Sequence, residues 1–145
     1  MIHGSFGEIS GRPNIQGRIV LRDQNLMGDI LFLVDTCADR SILMASDVKI
    51  LGVDYEKLSR KIEISGIGGT VNLFSSPAFL AFTGSGPALY VYNIDIGIAP
   101  QEPSFEKSLS VLGRDILDNW SMVYAPLRKQ LQFEVLTAYL EHQVT

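Results

Sequence analysis

A mainly β domain is the fold class this sequence predicts, on three observations. Over residues 90–98, Tyr90, Tyr92, Ile94, Ile96 and Ile98 alternate with Val91, Asn93, Asp95 and Gly97, a period of two that sets one apolar face on a core. Residues 15–21 and 30–34 are rich in β-branched and aliphatic side chains, and the polar reversal Arg22-Asp23-Gln24-Asn25 between them makes the two segments antiparallel neighbours. The 13 glycines and 6 prolines are scattered as punctuation between short apolar segments, with no repeat, low-complexity tract or long linker.

Two short helices interrupt the strands. Residues 46–51 carry Val48 and Leu51 at a spacing of three, have Ser46 or Asp47 near the start, and stop at Gly52. Residues 114–120 place Ile116, Leu117 and Trp120 on one face at 3.6 residues per turn, so the spacing predicts a helix there. Beyond it, residues 122–124 and 130–135 flank Pro126-Leu127-Arg128-Lys129 and read as a closing hairpin.

Length and composition narrow the function. The chain of 145 residues suits one domain, 1–145, with one core. Hydrophobic residues at 46% and charged residues at 19% exclude a disordered polymer, and the slight apolar excess suits a subunit that buries an interface. Twelve basic against sixteen acidic residues give a net charge of −4 without a basic cluster, which argues against a nucleic-acid partner. The lone Cys37 cannot make an intrachain disulfide, and neither a signal-length apolar stretch at the start nor a bilayer-length run is present. A cytoplasmic location with no membrane partner is therefore expected. His3 and His142 lie at opposite ends without companions at metal-ligand spacing, so neither a metal nor another cofactor is expected.

The chemistry concentrates in residues 32–41, where an apolar strand runs directly into Asp35, Thr36 and Asp39. A carboxylate at the end of a buried strand costs energy unless partners compensate it, which marks a candidate site; a polar turn with Asp35 accepting backbone hydrogen bonds is the plainer alternative. Downstream, Gly66-Ile67-Gly68-Gly69 lies between strand-like residues 61–65 and 70–74. By itself this is a flexible hairpin turn, and it is no dinucleotide fingerprint, because Val71 stands where a third glycine is required. No Ser-His-Asp arrangement emerges.

Taken in order, these segments resemble the retroviral-type, or retropepsin-like, aspartic protease family. Leu33-Val34-Asp35-Thr36-Cys37-Ala38-Asp39 resembles its active-site loop, two apolar residues followed by Asp-Thr-Gly-Ala-Asp. Gly66 to Gly69 resembles the glycine-rich tip of its flap, and Val111-Leu112-Gly113-Arg114-Asp115-Ile116-Leu117 resembles its second signature, an apolar pair, Gly-Arg-Asp and a short helix. The resemblance spans about residues 13–135. It implies a closed β-barrel with one or two short helices, forming a homodimer with a flap hairpin over the cleft.

The resemblance also implies roles. Asp35 and Thr36 are the catalytic residues; Cys37, Ala38, Asp39, Gly66, Ile67 and Gly68 bind substrate; and Arg114 pairs with Asp39 to tie the second helix to the loop in a partly buried contact. Peptide hydrolysis by this route needs two carboxylates on one water, and a chain with one Asp-Thr loop supplies the second through a two-fold copy of itself. Ala38 lacks the hydroxyl that many aspartic proteases carry there, which implies work at less acidic pH. Cys37 departs from the family pattern by replacing its glycine, where backbone and substrate approach closely. An aspartic endopeptidase on a peptide or protein substrate is thus one expectation; a catalytically silent homodimer that binds peptides or serves as an interaction module is the other. A further expectation is that the chain is cut from a longer precursor, as such proteases often are.

Overall fold

The computed structural model describes residues 1–66, 68–105 and 108–143. Its strands are β1 (Ile2–His3), β2 (Ser5–Phe6), β3 (Pro13–Leu21), β4 (Leu26–Val34), β5 (Ile42–Leu43), β6 (Arg60–Gly66), β7 (Gly69–Thr83), β8 (Ala88–Ile98), β9 (Ser110–Leu112), β10 (Trp120–Ala125), β11 (Gln130–Val135) and β12 (Leu140–Gln143). Two α-helices join them, α1 (Ala45–Leu51) and α2 (Arg114–Leu117).

The larger sheet closes on itself. Its order runs β8-β5-β9-β4-β3-β7, and β7 pairs again with β8 from Phe74↔Ile98 to Thr83↔Leu89, which completes a β-barrel. β3 and β4 are antiparallel from Asn14↔Leu33 to Leu21↔Leu26, so the reversal falls where the polar residues 22–25 place it, with Asn25 in the left-handed region at φ 53°. The barrel interior is filled by alternate residues of these strands, including Ile19, Ile30, Phe32, Leu80, Phe82, Ile96 and Ile98. β8 buries Tyr92, Ile96 and Ile98 on the face the alternation predicts, while Tyr90 and Ile94 on that face are half-buried.

The second sheet, β1-β11-β10, covers one side of the barrel. Trp120 from it packs on Phe82 of the barrel and on Phe133 of its own sheet, with ring centroids 5.0 Å apart in each pair. Trp120 Nε1 donates to the Tyr92 hydroxyl at 2.7 Å, and that hydroxyl donates to the Thr137 carbonyl at 2.9 Å, so both buried polar tips are satisfied. Burial pushes the Tyr92 phenol above its ordinary value, and the Trp120 hydrogen bond draws it back.

Helix α1 ends at Gly52, whose φ of 80° places it in the left-handed region that glycine adopts at no steric cost. The second helix is shorter than its periodicity predicts. It stops at Leu117, and Trp120 opens β10 instead. Asn119 Nδ2 donates to the carbonyls of Asp115 and Ile116 at 3.2 and 3.0 Å and so caps the helix end, while the demand of the Trp120 ring for the barrel core draws the chain into the sheet.

Candidate active site

Three elements fix the loop that begins at Asp35. β4 delivers it from the barrel interior, flanked by antiparallel β3 and by parallel β9, with Val34 opposite Leu112. The ladder runs one residue further, because the Asp35 N–H donates to the Leu112 carbonyl at 3.1 Å. The chain then turns sharply: the Ala38 N–H donates to the Asp35 carbonyl at 3.2 Å, and the Cys37 N–H donates to Asp35 Oδ1 at 2.9 Å. Such a side-chain turn is what aspartate is suited to form, and here it holds one carboxylate oxygen in a fixed direction. Asp35 itself is half-buried, and Thr36 and Cys37 are exposed.

Helix α2 clamps the far side of the loop. The Arg114 N–H donates to the Ala38 carbonyl at 2.8 Å, so the loop satisfies a donor at the helix start. A Cβ at Gly113 would lie 2.6 Å from the Arg40 carbonyl carbon and 2.8 Å from the carbonyl oxygens of Ala38 and Arg40, so only glycine permits this approach. Beneath it, the fully buried Ser41 gathers three hydrogen bonds: its Oγ accepts from the Gly113 N–H at 3.0 Å and donates to Asp115 Oδ1 at 2.7 Å, while its N–H donates to Asp115 Oδ2 at 2.9 Å. A second post of the same kind stands nearby, where Ser110 Oγ donates to Asp47 Oδ2 at 2.6 Å and accepts from the Met44 N–H at 3.0 Å. Ser41, Asp115, Ser110 and Asp47 support the floor; in the sequence Asp115 stands out only as part of the Gly-Arg-Asp signature and Asp47 only as a helix-start residue, and none of the four announces this supporting role. Their only signal is a short polar residue beside an apolar strand or a turn, which many surface loops share.

Arg114 pairs with Asp39, so the loop and the helix are also joined by charge. The sequence anticipates a partly buried pair. In the single chain both side chains are open to solvent, Arg114 at 48% and Asp39 at 83% relative exposure. Solvent screening holds such pairs to about 1 kcal/mol or less. Arg114→Ala should therefore lower the stability of the isolated chain by no more than about 1 kcal/mol, read by urea denaturation. A loss of several kcal/mol would show that the pair is desolvated in solution.

The remaining predicted residues lie on a separate hairpin. β6 and β7 pair from Arg60↔Ser75 to Gly66↔Gly69, and Gly68 is a turn residue between them. Gly69 has a φ of 106°, a conformation that side chains strain to adopt. Ile67 lies outside the described residues. Residues 69–73 of β7 pair with β6 alone, so the hairpin extends past the paired strands of the barrel, with Leu73 at its base buried. A groove of about 530 Å³ runs between this hairpin and residues 100–105, lined in part by Lys61, Asn72, Phe74, Glu102 and Phe105. Asp35, Thr36, Cys37, Ala38, Asp39 and Arg114 are thus brought together by direct bonds and chain adjacency, whereas Gly66 and Gly68 make no hydrogen bond to that loop among the described residues.

Cys37 is not among the residues with positive φ, so its backbone lies in a region open to any residue. The local conformation does not demand the glycine that the resemblance leads one to expect. Among the described residues, no cluster of three His, Cys, Asp or Glu side chains is placed to hold a metal ion, and no helix is long and apolar enough to cross a membrane.

No protein-family model and no curated protein sequence matches the chain. Among solved structures it is similar to a retropepsin-like aspartic protease from Rickettsia conorii, 19% identical, with 92% of this chain and 88% of that one covered at a TM-score of 0.54. It is also similar to the EIAV protease complexed with the inhibitor HBY-793, 25% identical, with 77% of this chain and 90% of that one covered at a TM-score of 0.48. The likeness to the Rickettsia structure, together with barrel closure and the strand-to-loop geometry at Asp35, gives the chain the retropepsin-like fold.

Proposed function

We propose that the chain is an aspartic endopeptidase whose active site forms when two copies meet about a two-fold axis and set their Asp35 side chains side by side. The observation that carries this reading is the seating of Asp35. The Cys37 N–H bond to one carboxylate oxygen is what a plain turn would also show; the clamp that α2 places on the same loop, through the Arg114 N–H and the close approach at Gly113, is what supports a built site.

Two carboxylates about 3 Å apart share one proton, as in aspartic proteases generally. The ionised member takes a proton from a water whose oxygen attacks the peptide carbonyl carbon, and the protonated member gives its proton to the carbonyl oxygen. Collapse of the tetrahedral species breaks the C–N bond: the proton acquired from water goes to the departing amine, and one hydroxyl of the tetrahedral carbon returns its proton to the other carboxylate as the C=O reforms, so the pair again holds one proton. Thr36, exposed in the single chain, is available to bond the partner loop, and the β6–β7 hairpin is the element that would close over a peptide. A reducing compartment such as the cytosol keeps the exposed Cys37 thiol free.

Digestion of a complex peptide mixture across pH, read by mass spectrometry with active-site inhibitor controls, tests the reading. Specific cleavage supports it; inertness at every pH by a well-formed dimer leaves the silent, peptide-binding homodimer. Cys37 should set the rate. Its side chain is exposed beside Asp35, where a substrate backbone must pass, so Cys37→Gly should raise turnover about tenfold, the equivalent of about 1.4 kcal/mol in the transition state. Alkylation of the parent thiol should lower it. Equal or slower turnover by the glycine variant would show that the cysteine is accommodated.

A further inference from the structure

The outer face of the barrel sheet carries a hollow that no step of the proposed hydrolysis uses. Its floor is Ala81 on β7, flanked across the ladder by Arg18 on β3 and Val91 on β8, and Val91 in turn stands opposite Leu140 on β12. Directly opposed residues share a face, and the sequence neighbours of Ala81, Leu80 and Phe82, are buried in the barrel, so this row points outward. A single methyl group among longer side chains leaves a depression of about 290 Å³, which Val20, Phe79 and Tyr139 also line and onto which only apolar surface opens. It shares no residue with the Asp35 loop or with the groove beside the β6–β7 hairpin.

Two arginines flank the hollow with different commitments. Arg18 lends its methylene stem to the lining, while its guanidinium donates to Asp29 Oδ1 at 3.2 Å and to Met27 Sδ at 3.4 Å. Arg22 makes no ion pair among the described residues, and its guanidinium lies over the Phe79 ring, 4.7 Å from the centroid. Asp95, which stands opposite Pro77 on the neighbouring strand, is already held by Arg60 at 3.1 Å. Phe79 also stacks on Tyr139, with centroids 6.3 Å apart and planes inclined by 29°. A flat aromatic wall therefore meets an apolar floor beside one uncompensated cation, on a chain whose net charge is −4.

We propose that this hollow binds a small carboxylate bearing one aromatic ring, the ring seated on Ala81 against the Phe79–Tyr139 wall and the carboxylate paired with Arg22. A volume of about 290 Å³ lies at the lower end of small-molecule sites, room for one ring on a short arm rather than for a long acyl chain. A nucleobase fits the lining poorly, because its polar edges would meet apolar surface without partners. A carboxylate suits Arg22, since a planar guanidinium offers it two parallel N–H donors and can stay stacked on Phe79 while it does so. The proposal is independent of the endopeptidase reading.

Titration of the full chain with 3-phenylpropionate, followed by the amide shifts in its proton–nitrogen NMR spectrum, tests the site. Saturable shifts confined to the strands around Ala81 and to Tyr139 and Leu140 are expected, with a dissociation constant of about 1 mM or below. The uncharged 3-phenylpropionamide should bind about tenfold more weakly, and Arg22→Gln should weaken the acid to the level of the amide while leaving the amide unchanged. Ala81→Leu fills the hollow and should abolish binding of both; Tyr139→Ala, at an exposed side chain, should weaken both and serves should the leucine variant not fold. Shifts that stay linear to about 10 mM or scatter over the surface, or folded Ala81→Leu and Tyr139→Ala chains that bind as the parent does, overturn the site. An amide that binds as tightly as the acid overturns the pairing with Arg22.

Discussion

Asp35→Asn should reduce peptide hydrolysis by about a thousandfold or more while leaving fold and assembly in place. The amide has nearly the volume of the carboxylate, and its oxygen can still accept from the Cys37 N–H, so the turn that shapes the loop persists. What is lost is the ability to hold and release the shared proton. Turnover of a cleaved peptide, measured beside sedimentation and a thermal melt, separates these effects. Activity close to that of the parent would remove Asp35 from the mechanism. A variant that fails to fold would assign it a structural role instead.

Gly113→Ala is expected to have the largest effect on stability. The added Cβ would meet three backbone atoms of Ala38 and Arg40 at 2.6–2.8 Å, and backbone on both sides cannot step aside as a flexible side chain can. The φ of −98° is open to alanine, so the cost is one of contact rather than conformation. Overpacking of this kind should cost about 3 kcal/mol, or roughly 10 °C in melting temperature. The displacement falls on the loop that holds Asp35, so hydrolysis should fall with stability even at temperatures where the variant stays folded. A melt within a degree or two of the parent would show that the loop and helix have room to part.

Much of the fold was legible because strong local signals and the tertiary structure agreed. The alternation at 90–98 lies within β8, the reversal at 22–25 joins β3 to β4, Gly52 ends α1, and residues 126–129 turn between β10 and β11. β1, β2 and β5 escaped notice because two residues carry no period. The second half of β7 was hidden by Ser75-Ser76-Pro77, polar and proline residues that read as a break; yet Ser75 and Ser76 are buried, and Pro77 lies opposite Asp95 within the ladder. Trp120 misled the helix assignment because an apolar residue at helical spacing also fits the first position of a strand, and only the aromatic cluster with Tyr92, Phe82 and Phe133 decides between them.

The site divides along the same line. Asp35, Thr36, Asp39 and Arg114 stood out as motif residues. The buried hydrogen bonds of Ser41 to Asp115 and to Gly113 did not, since 74 and 72 residues separate the partners and no local pattern announces a pairing at that range. The exposure of the Asp39–Arg114 pair was likewise beyond reach, because solvent access depends on how the loop and α2 sit at the surface.

The central claim is that one active site takes an Asp35 from each of two chains, and subunit mixing tests it most directly. A fixed amount of parent is equilibrated with increasing Asp35→Asn chain, and cleavage of one peptide is followed per parent molecule. With equal amounts of the two chains, about one quarter of the dimers contain two parent subunits, so activity per parent chain should fall to about half. It should continue toward zero as the variant is raised. Activity per parent chain that stays constant at every ratio, with mixed dimers shown to form, would contradict the account.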